Sequence, residues 1–416
     1  MSEGVRSGER PPMRVLMAHS RYQQRGGEDE STDMEVALLR DRGHDVAELF
    51  ADNRTIVGRP GLRALRDTVW SPGAYAATRR LIGERRPDVV HVQNFFPLLS
   101  PSVYYAARAQ GVPVVQTLRN YRLLCPNALF FRDGRVCEDC RERSVPWPGV
   151  AHACYRGSRP ASAAVAAMLT VHNAAGTWKR AVDLYVALSE FARGKFVESG
   201  LPPDRIVVKP NFVHPDPGPG PDDAGSRRHA LFIGRLSVEK GVHTLLSAWS
   251  LARPGIVLKI VGDGPLADEA RAAYKGVANV EWLGRRSLSE TYALLGEAAF
   301  LVFPSEWYET FGRVAMEAFA KGTPVIAARI GAVAELVDHG VSGLHFTPGD
   351  AADLAARIDE LLGSPARARE MGRNARAQFE RKYTAAANYE RLVAVYARAT
   401  AIGGGDAGGR PSGAAR

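Results

Sequence analysis

Seven residues separate Glu309 from Glu317 in the segment SEWYETFGRVAMEAFAKG, Ser305 to Gly322. The apolar run AAFLVFP just before it predicts a buried strand, followed by a turn carrying Glu309 and a helix beginning near 310–312. Free backbone N–H groups at such a helix start suit a phosphate. Gly312 lets the chain approach an anion closely, and Glu317, one to two turns into the helix, can turn its carboxylate toward ribose hydroxyls. Glu309 would sit nearer a sugar. On its own, such a pair of glutamates also reads as helix capping and solvated charge. Two further turns share the strand-turn-helix placement. FIGRLSVEKG brings Arg235 and Lys240 to a strand end beside Gly234, where they can neutralise a diphosphate, and VGDGP places Gly262 at the next strand end. Singly, each turn is a common loop with surface charge; their ordered combination carries the signal.

The elements that must position these residues alternate regularly. RVLMAH, DVAELF, DVVHVQ, VPVVQTL, DLYVALS and RIVVKP are short apolar runs separated by amphipathic segments in the first half, with a helix expected over 161–175. A Pro/Gly-rich bridge, NFVHPDPGPGPDDAGSRR, reads as a linker. The alternation restarts with HALFIG, IVLKIVG, VEWLG, AAFLVFP and TPVIAA, and Ser287 with Glu290 forms a capping-box signature. The fold class is therefore α/β with two doubly wound Rossmann-like domains, and ligands in such sheets bind at the carboxyl ends of strands.

The chain of 416 residues exceeds the size of a single core. No apolar run approaches the roughly 20 residues that span a bilayer, and MSEGVRSGERPP lacks a signal core, so a cytoplasmic protein with reduced thiols is expected. The net charge of +9 belongs to the first half, where residues 1–210 hold 30 of the 54 basic but only 22 of the 45 acidic residues. Arg54, Arg59, Arg63, Arg66, Arg79, Arg80, Arg85 and Arg86 are interleaved with Leu62, Leu65, Val69, Trp70 and Tyr75. This is either a solvated helix face or a surface for an anionic membrane, peripheral at the inner face. Specific nucleic-acid binding is not expected, because no binding motif accompanies the charge.

All four cysteines, Cys125, Cys137, Cys140 and Cys154, fall in one irregular section with a CxxC at its centre. In a cytosolic chain four thiolates favour a structural zinc over disulfides, although the outer spacing is unlike common zinc fingers. The alternative is reduced cysteines buried near a substrate channel.

GR-x4-K at Gly234, VGDGP, the E-x7-E element from Glu309 to Glu317, GTPVIA and GLHFTPGD, in that order, resemble glycosyltransferase family 4 from Met13 to about Arg398. The resemblance implies a GT-B fold, its two domains facing a central cleft, and a retaining transferase. Such an enzyme moves a sugar from a UDP- or GDP-sugar to a glycan or polyprenyl-linked acceptor in cell-surface polysaccharide or glycoconjugate assembly. It implies an acceptor domain over 13–210 with a Cys-rich insertion at 119–160, a linker at 211–229, a donor domain over 230–385, and a helix at 386–400 crossing back. Residues 1–12 and 401–416 are expected to be disordered. By the same resemblance Glu317 binds ribose, Glu309 lies near the donor sugar, and Arg235 with Lys240 clamps the diphosphate. The backbone of Phe311 and Gly312 supports the phosphate, and Gly27 in RGGE belongs to the first glycine loop. Arg119 stands where many members carry a histidine. An arginine cannot be a general base at neutral pH, so it would hold the donor by charge or serve as an ion-pair partner. His91 and Asn94, at the end of DVVHVQN, are acceptor-site candidates or strand caps. No Asp-x-Asp pair occurs, so no cofactor is expected for catalysis. A sugar-nucleotide epimerase or hydrolase of the same shape, and a zinc-stabilised nucleic-acid-binding protein, are the alternatives.

Overall fold

The computed structural model describes residues 11–56, 61–221, 227, 229–252 and 255–407. They divide into two compact units: one from residues up to Thr117, Thr170–Val186 and Leu392 onward, the other from Leu118–Leu169 and Ala187–Arg391.

The first unit is built on strands in the spatial order Asp45–Asp52, Arg14–Arg21, Val89–Asn94, Val114–Leu118, Leu184–Ala187, the first four paired parallel. This is a doubly wound order whose direction of growth reverses beside Arg14–Arg21, so the ends of Arg14–Arg21 and Val89–Asn94 flank a switch point. Both faces are covered, which is why these strands read as near-continuous apolar runs; all six residues of Val89–Asn94 are buried. The helix Pro72–Arg85 starts where Ser71 accepts a hydrogen bond from the Ala74 N–H at 3.3 Å.

The second unit carries a six-stranded sheet, Val280–Gly284, Val257–Val261, His229–Ile233, Ala298–Phe303, Val325–Ala328, Gly343–Phe346, parallel throughout. Its switch point lies between His229–Ile233 and Ala298–Phe303, the strands that lead into Gly234 and the Glu309 turn. One apolar face packs Leu245, Trp249, Phe300 and Ile358 beneath the sheet; the other packs Leu301, Met316, Phe319 and Phe379. The expected capping box forms, with Ser287 Oγ accepting from the Glu290 N–H at 3.3 Å and the Ser287 N–H donating to Glu290 Oε2 at 2.8 Å.

The last helix, Ala385–Ala407, runs past the boundary expected at 400, so residues 401–407 are helical. Residues 1–10 and 408–416, where disordered ends were expected, lie outside the described residues. No helix among the described residues is long and apolar enough to cross a membrane.

Candidate functional site

In the second unit, glycines let three turns stack at the carboxyl edge of the sheet. Gly262 sits at φ +139, and a Cβ there would lie 1.9 Å from the Gly234 carbonyl oxygen, so only glycine permits the turn after one strand to press on its neighbour. The Gly234 N–H donates to Val261 O at 3.0 Å and the Leu236 N–H to Asp263 O at 3.1 Å. Gly241, at φ +67, does the same service one turn later, where a Cβ would lie 1.9 Å from Pro304 O. That approach brings Lys240 to the segment following Ala298–Phe303.

Glu309 is buried, and one of its oxygens gathers three donors. Lys240 Nζ is 2.5 Å from Oε1, Ser305 Oγ 2.9 Å and Trp307 Nε1 3.0 Å. The Lys240 ammonium also lies 5.3 Å from the Trp307 ring centroid. The turn is fixed from outside as well: the Ala332 N–H donates to Glu309 O at 3.2 Å, and Ser189 Oγ donates to Thr310 O at 3.0 Å. Thr310 Oγ1 donates to the Arg119 carbonyl at 2.8 Å, so Arg119 and Glu309, 190 positions apart in the chain, are neighbours through Thr310. The Arg119 side chain is buried and donates to Asn211 Oδ1 at 3.1 Å.

Arg235 reaches only as far as its own turn, with its NH2 group 2.6 Å from Glu239 Oε1 while more than half its side chain stays exposed. Burial works to raise the Glu239 carboxyl, yet hydrogen bonds from Arg235 and Ser237 outweigh it and hold that carboxyl below the ordinary glutamate range. Gly312, at φ +98, caps the helix Arg313–Ala320, and Phe311 is buried with its ring 5.9 Å from Tyr383. Glu317 is buried one turn in and accepts from Arg313 Nε at 2.8 Å. Ser305, Trp307 and Arg313 escaped sequence reasoning. The Arg313–Glu317 spacing of four was the one local signal that could have found a partner.

In the first unit, Gly27 opens the helix Gly27–Asp41. Asp29 fixes the loop before it, accepting from His19 Nε2 at 2.8 Å, the Gly26 N–H at 3.2 Å and the Tyr22 N–H at 3.3 Å. His91 is fully buried: Nδ1 lies 2.8 Å from the Tyr396 hydroxyl and 3.3 Å from Glu35 Oε1, and Nε2 lies 2.8 Å from Thr117 Oγ1. Asn94 ties two strand ends together, donating to Ser20 O at 3.1 Å and accepting from the Phe96 N–H at 3.0 Å. A cavity of about 550 Å3 is lined by Phe50, Asp52, Arg63, Arg66, Asp67 and Leu99. Acidic partners stand among the basic residues of this region: Arg54 pairs with Asp52 at 2.5 Å, Arg66 with Asp67 at 2.7 Å, and Arg80 lies 3.8 Å from Glu84. Arg59 lies outside the described residues.

Cys125, Cys137, Cys140 and Cys154 are free thiols, Cys125 and Cys140 buried. Among the described residues no three His, Cys, Asp or Glu side chains are already spaced to hold an ion.

The folds of solved structures match over most of the chain. An Anabaena protein, HepE, crystallised with UDP and glucose, superimposes with a TM-score of 0.65 at 18% identity, covering 92% of this chain and 99% of that one. A sucrose-phosphate synthase of Thermosynechococcus elongatus gives 0.70 at 19% identity, covering 94% and 99%. These are likenesses of a two-domain GT-B fold. Among curated relatives, a glycogen synthase of Mycobacterium tuberculosis is 40% identical over 153 residues, 35% of this chain and 36% of the relative. A D-rhamnosyltransferase, WbpZ, of Pseudomonas aeruginosa is 38% identical over 162 residues, 38% of this chain and 42% of the relative. The chain thus matches less than half the length of each. The family description "Glycosyl transferase 4-like domain" matches residues 26–211 and "Glycosyl transferases group 1" matches residues 222–378. With both halves accounted for, the chain belongs to glycosyltransferase family 4.

Proposed function

We propose that this protein is a hexosyltransferase that moves a sugar from a nucleoside-diphosphate donor, a UDP- or GDP-sugar, to a glycan or polyprenyl-linked acceptor with retention at the anomeric carbon. The observation that carries the reading is the convergence, at the second unit's switch point, of the glycine turns, Lys240 and a buried Glu309. HepE, whose crystals hold UDP and glucose, and the rhamnosyltransferase relative support a nucleotide-sugar donor.

The chemistry follows from the leaving group. As the bond from the anomeric carbon to the phosphate oxygen breaks, negative charge grows on the departing diphosphate, and Arg235, Lys240 and the backbone of Phe311 and Gly312 stabilise it. Gly27, Gly234 and Gly262 let backbone approach the donor. Glu317 accepts from ribose hydroxyls and Glu309 from the sugar. Arg119 holds the donor by charge and takes no proton. The acceptor oxygen bonds to the anomeric carbon on the face the phosphate leaves, and its proton passes to the departing phosphate. These cations supply the charge stabilisation, so catalysis proceeds without a bound metal. The acceptor lies against the first unit, where His91 and Asn94 shape the strand ends. The basic residues 54–86 dock the protein to an anionic membrane surface from the cytoplasmic side.

Calorimetric titration with UDP, GDP and ADP, using Glu317→Ala as control, tests the donor. Saturable binding of one nucleotide, weakened in the variant, is expected; no binding of any would remove the transferase reading. Cosedimentation with anionic liposomes tests the membrane surface. Changing Arg79, Arg80, Arg85 and Arg86 to Ser should reduce binding, and equal binding by both proteins would reject that surface.

A further inference from the structure

The turn that presents Glu309 is gripped from two sides by helix starts. On one side is the helix Glu190–Glu198. Its cap, Ser189, accepts from the Ala192 N–H at 3.1 Å, and the same hydroxyl reaches Thr310 O at 3.0 Å. One turn apart on that helix, the Phe191 ring meets the Tyr308 ring edge-on at 4.9 Å, and the Lys195 ammonium lies 5.3 Å from the Tyr308 centroid. On the other side is the helix Gly331–Leu336. Gly331, at φ +60, presses on the turn so closely that a Cβ would lie 3.1 Å from both Tyr308 Cα and the Glu309 nitrogen. The next N–H, of Ala332, donates to Glu309 O at 3.2 Å.

Glu335 ties these two helices together. It stands on Gly331–Leu336, and its carboxylate accepts from the first two N–H groups of the other helix, Glu190 N–H to Oε1 at 3.1 Å and Phe191 N–H to Oε2 at 2.9 Å. A helix cannot satisfy these donors itself, and a carboxylate suits both their direction and the positive end of the helix dipole. With Ser189 on the Ala192 N–H, the first three N–H groups of the helix are all taken.

The Glu335 side chain is exposed, and an exposed charge at a helix start contributes little to global stability. Geometry at a reacting group is far more sensitive, since a misplacement of about 1 Å there costs up to about 100-fold in rate. The contact therefore matters for where the turn sits more than for whether the chain folds.

We propose that Glu335 is a positioning residue: by clamping the start of Glu190–Glu198 onto Gly331–Leu336 it closes both grips on Tyr308–Thr310 and so aims the Glu309 carboxylate. It acts through the turn and touches no substrate. The consequence for rate rests on the transferase reading; the coupling of Glu335 to the turn does not.

Glu335→Gln in the full chain tests it. A glutamine carbonyl accepts from one of the two N–H groups, while its amide nitrogen opposes the other. The turn is read without activity through Trp307, whose Nε1 donates to Glu309. In protein labelled with 5-fluorotryptophan, the fluorine resonance of Trp307 is identified by its loss in Trp307→Phe. Among the six tryptophans that resonance alone should move in Glu335→Gln, and an unmoved resonance would overturn the coupling.

Initial rates complete the test, read as UDP or GDP released from UDP-glucose or GDP-mannose with water as the acceptor. Glu335→Gln should lower kcat about tenfold, with donor KM and melting temperature unchanged. In a Glu309→Gln background the same change should have no further effect, because a residue that works through Glu309 has nothing left to aim. Effects that multiply in the double variant, or a fall in melting temperature that accounts for the lost rate, would reduce Glu335 to a structural contact. If the wild type releases neither nucleotide, the transferase reading fails for these donors, and the Trp307 resonance alone decides whether Glu335 sets the turn.

Discussion

The Glu309 turn and the His91 network are both buried clusters of acid and base, yet they are built for opposite ends. His91 and Glu35 are sealed, with side chains 0% and 1% exposed, and lie 3.3 Å apart inside the first unit. Glu309 is paired instead to Lys240, whose side chain is 23% exposed, beside Arg235 at 58%. A network with no route to solvent fixes a core. A buried carboxylate whose cation partner remains accessible can exchange that partner for a ligand. Residue type does not separate the two cases; the exposure of the partner does.

Breaking the accessible cluster should show in rate. Glu309→Gln is expected to lower transfer by about 100- to 1,000-fold with the melting temperature nearly unchanged, since an electrostatic contact at the reacting centre carries that order of effect. A variant that unfolds before it loses activity would place Glu309 with the structural cluster. Breaking the sealed network should show in stability. His91→Leu leaves Glu35 and Tyr396 facing an apolar group and is expected to lower unfolding free energy by about 3 kcal/mol in urea, with nucleotide affinity preserved. Loss of affinity with unchanged stability would make His91 a ligand-facing residue after all.

A pH series sharpens the contrast through a third buried group. Burial first, and the nearby Lys259 charge second, push the His229 imidazole down to about 4. Its folded value is below its unfolded one, so the unfolded chain binds the proton more readily. The stability it contributes is therefore complete above about pH 6.5 and lost as pH falls toward 4, by on the order of 3 kcal/mol. Urea midpoints across that range should fall more steeply for the wild type than for His229→Gln, and parallel slopes would remove His229 as the cause. The smallest effect belongs to the exposed end of the site, where Arg235→Gln should weaken nucleotide binding about tenfold without altering stability. Unchanged affinity would leave Arg235 as a partner of Glu239 alone.

Much of this architecture was legible because strands buried on both faces are apolar without alternation and helices announce their starts, as Ser287 with Glu290 does. The glycine turns and the E-x7-E spacing were legible because they are local. His91 was not: in a strand whose six residues are all buried, no periodicity tells which side chain meets another. The neighbourhood of Arg119, Asn211 and Thr310 joins residues 92 and 191 positions from Arg119, a distance no pattern reports. The expected end of the final helix fell short of Ala407 because residues 401–407 hold three consecutive glycines, which composition alone reads as a stop.

The pairing of Lys240 with Glu309, and of Arg235 with Glu239, also decides how the resting protein looks from a distance. Each of these two cations is matched by a carboxylate within 2.6 Å, so from beyond a Debye length the two pairs present dipoles and little net charge. A charged donor is then met by short-range recognition with little long-range steering, and its association rate in stopped flow should change little between low and moderate salt. A steep decline with salt would mean that another charged surface does the guiding.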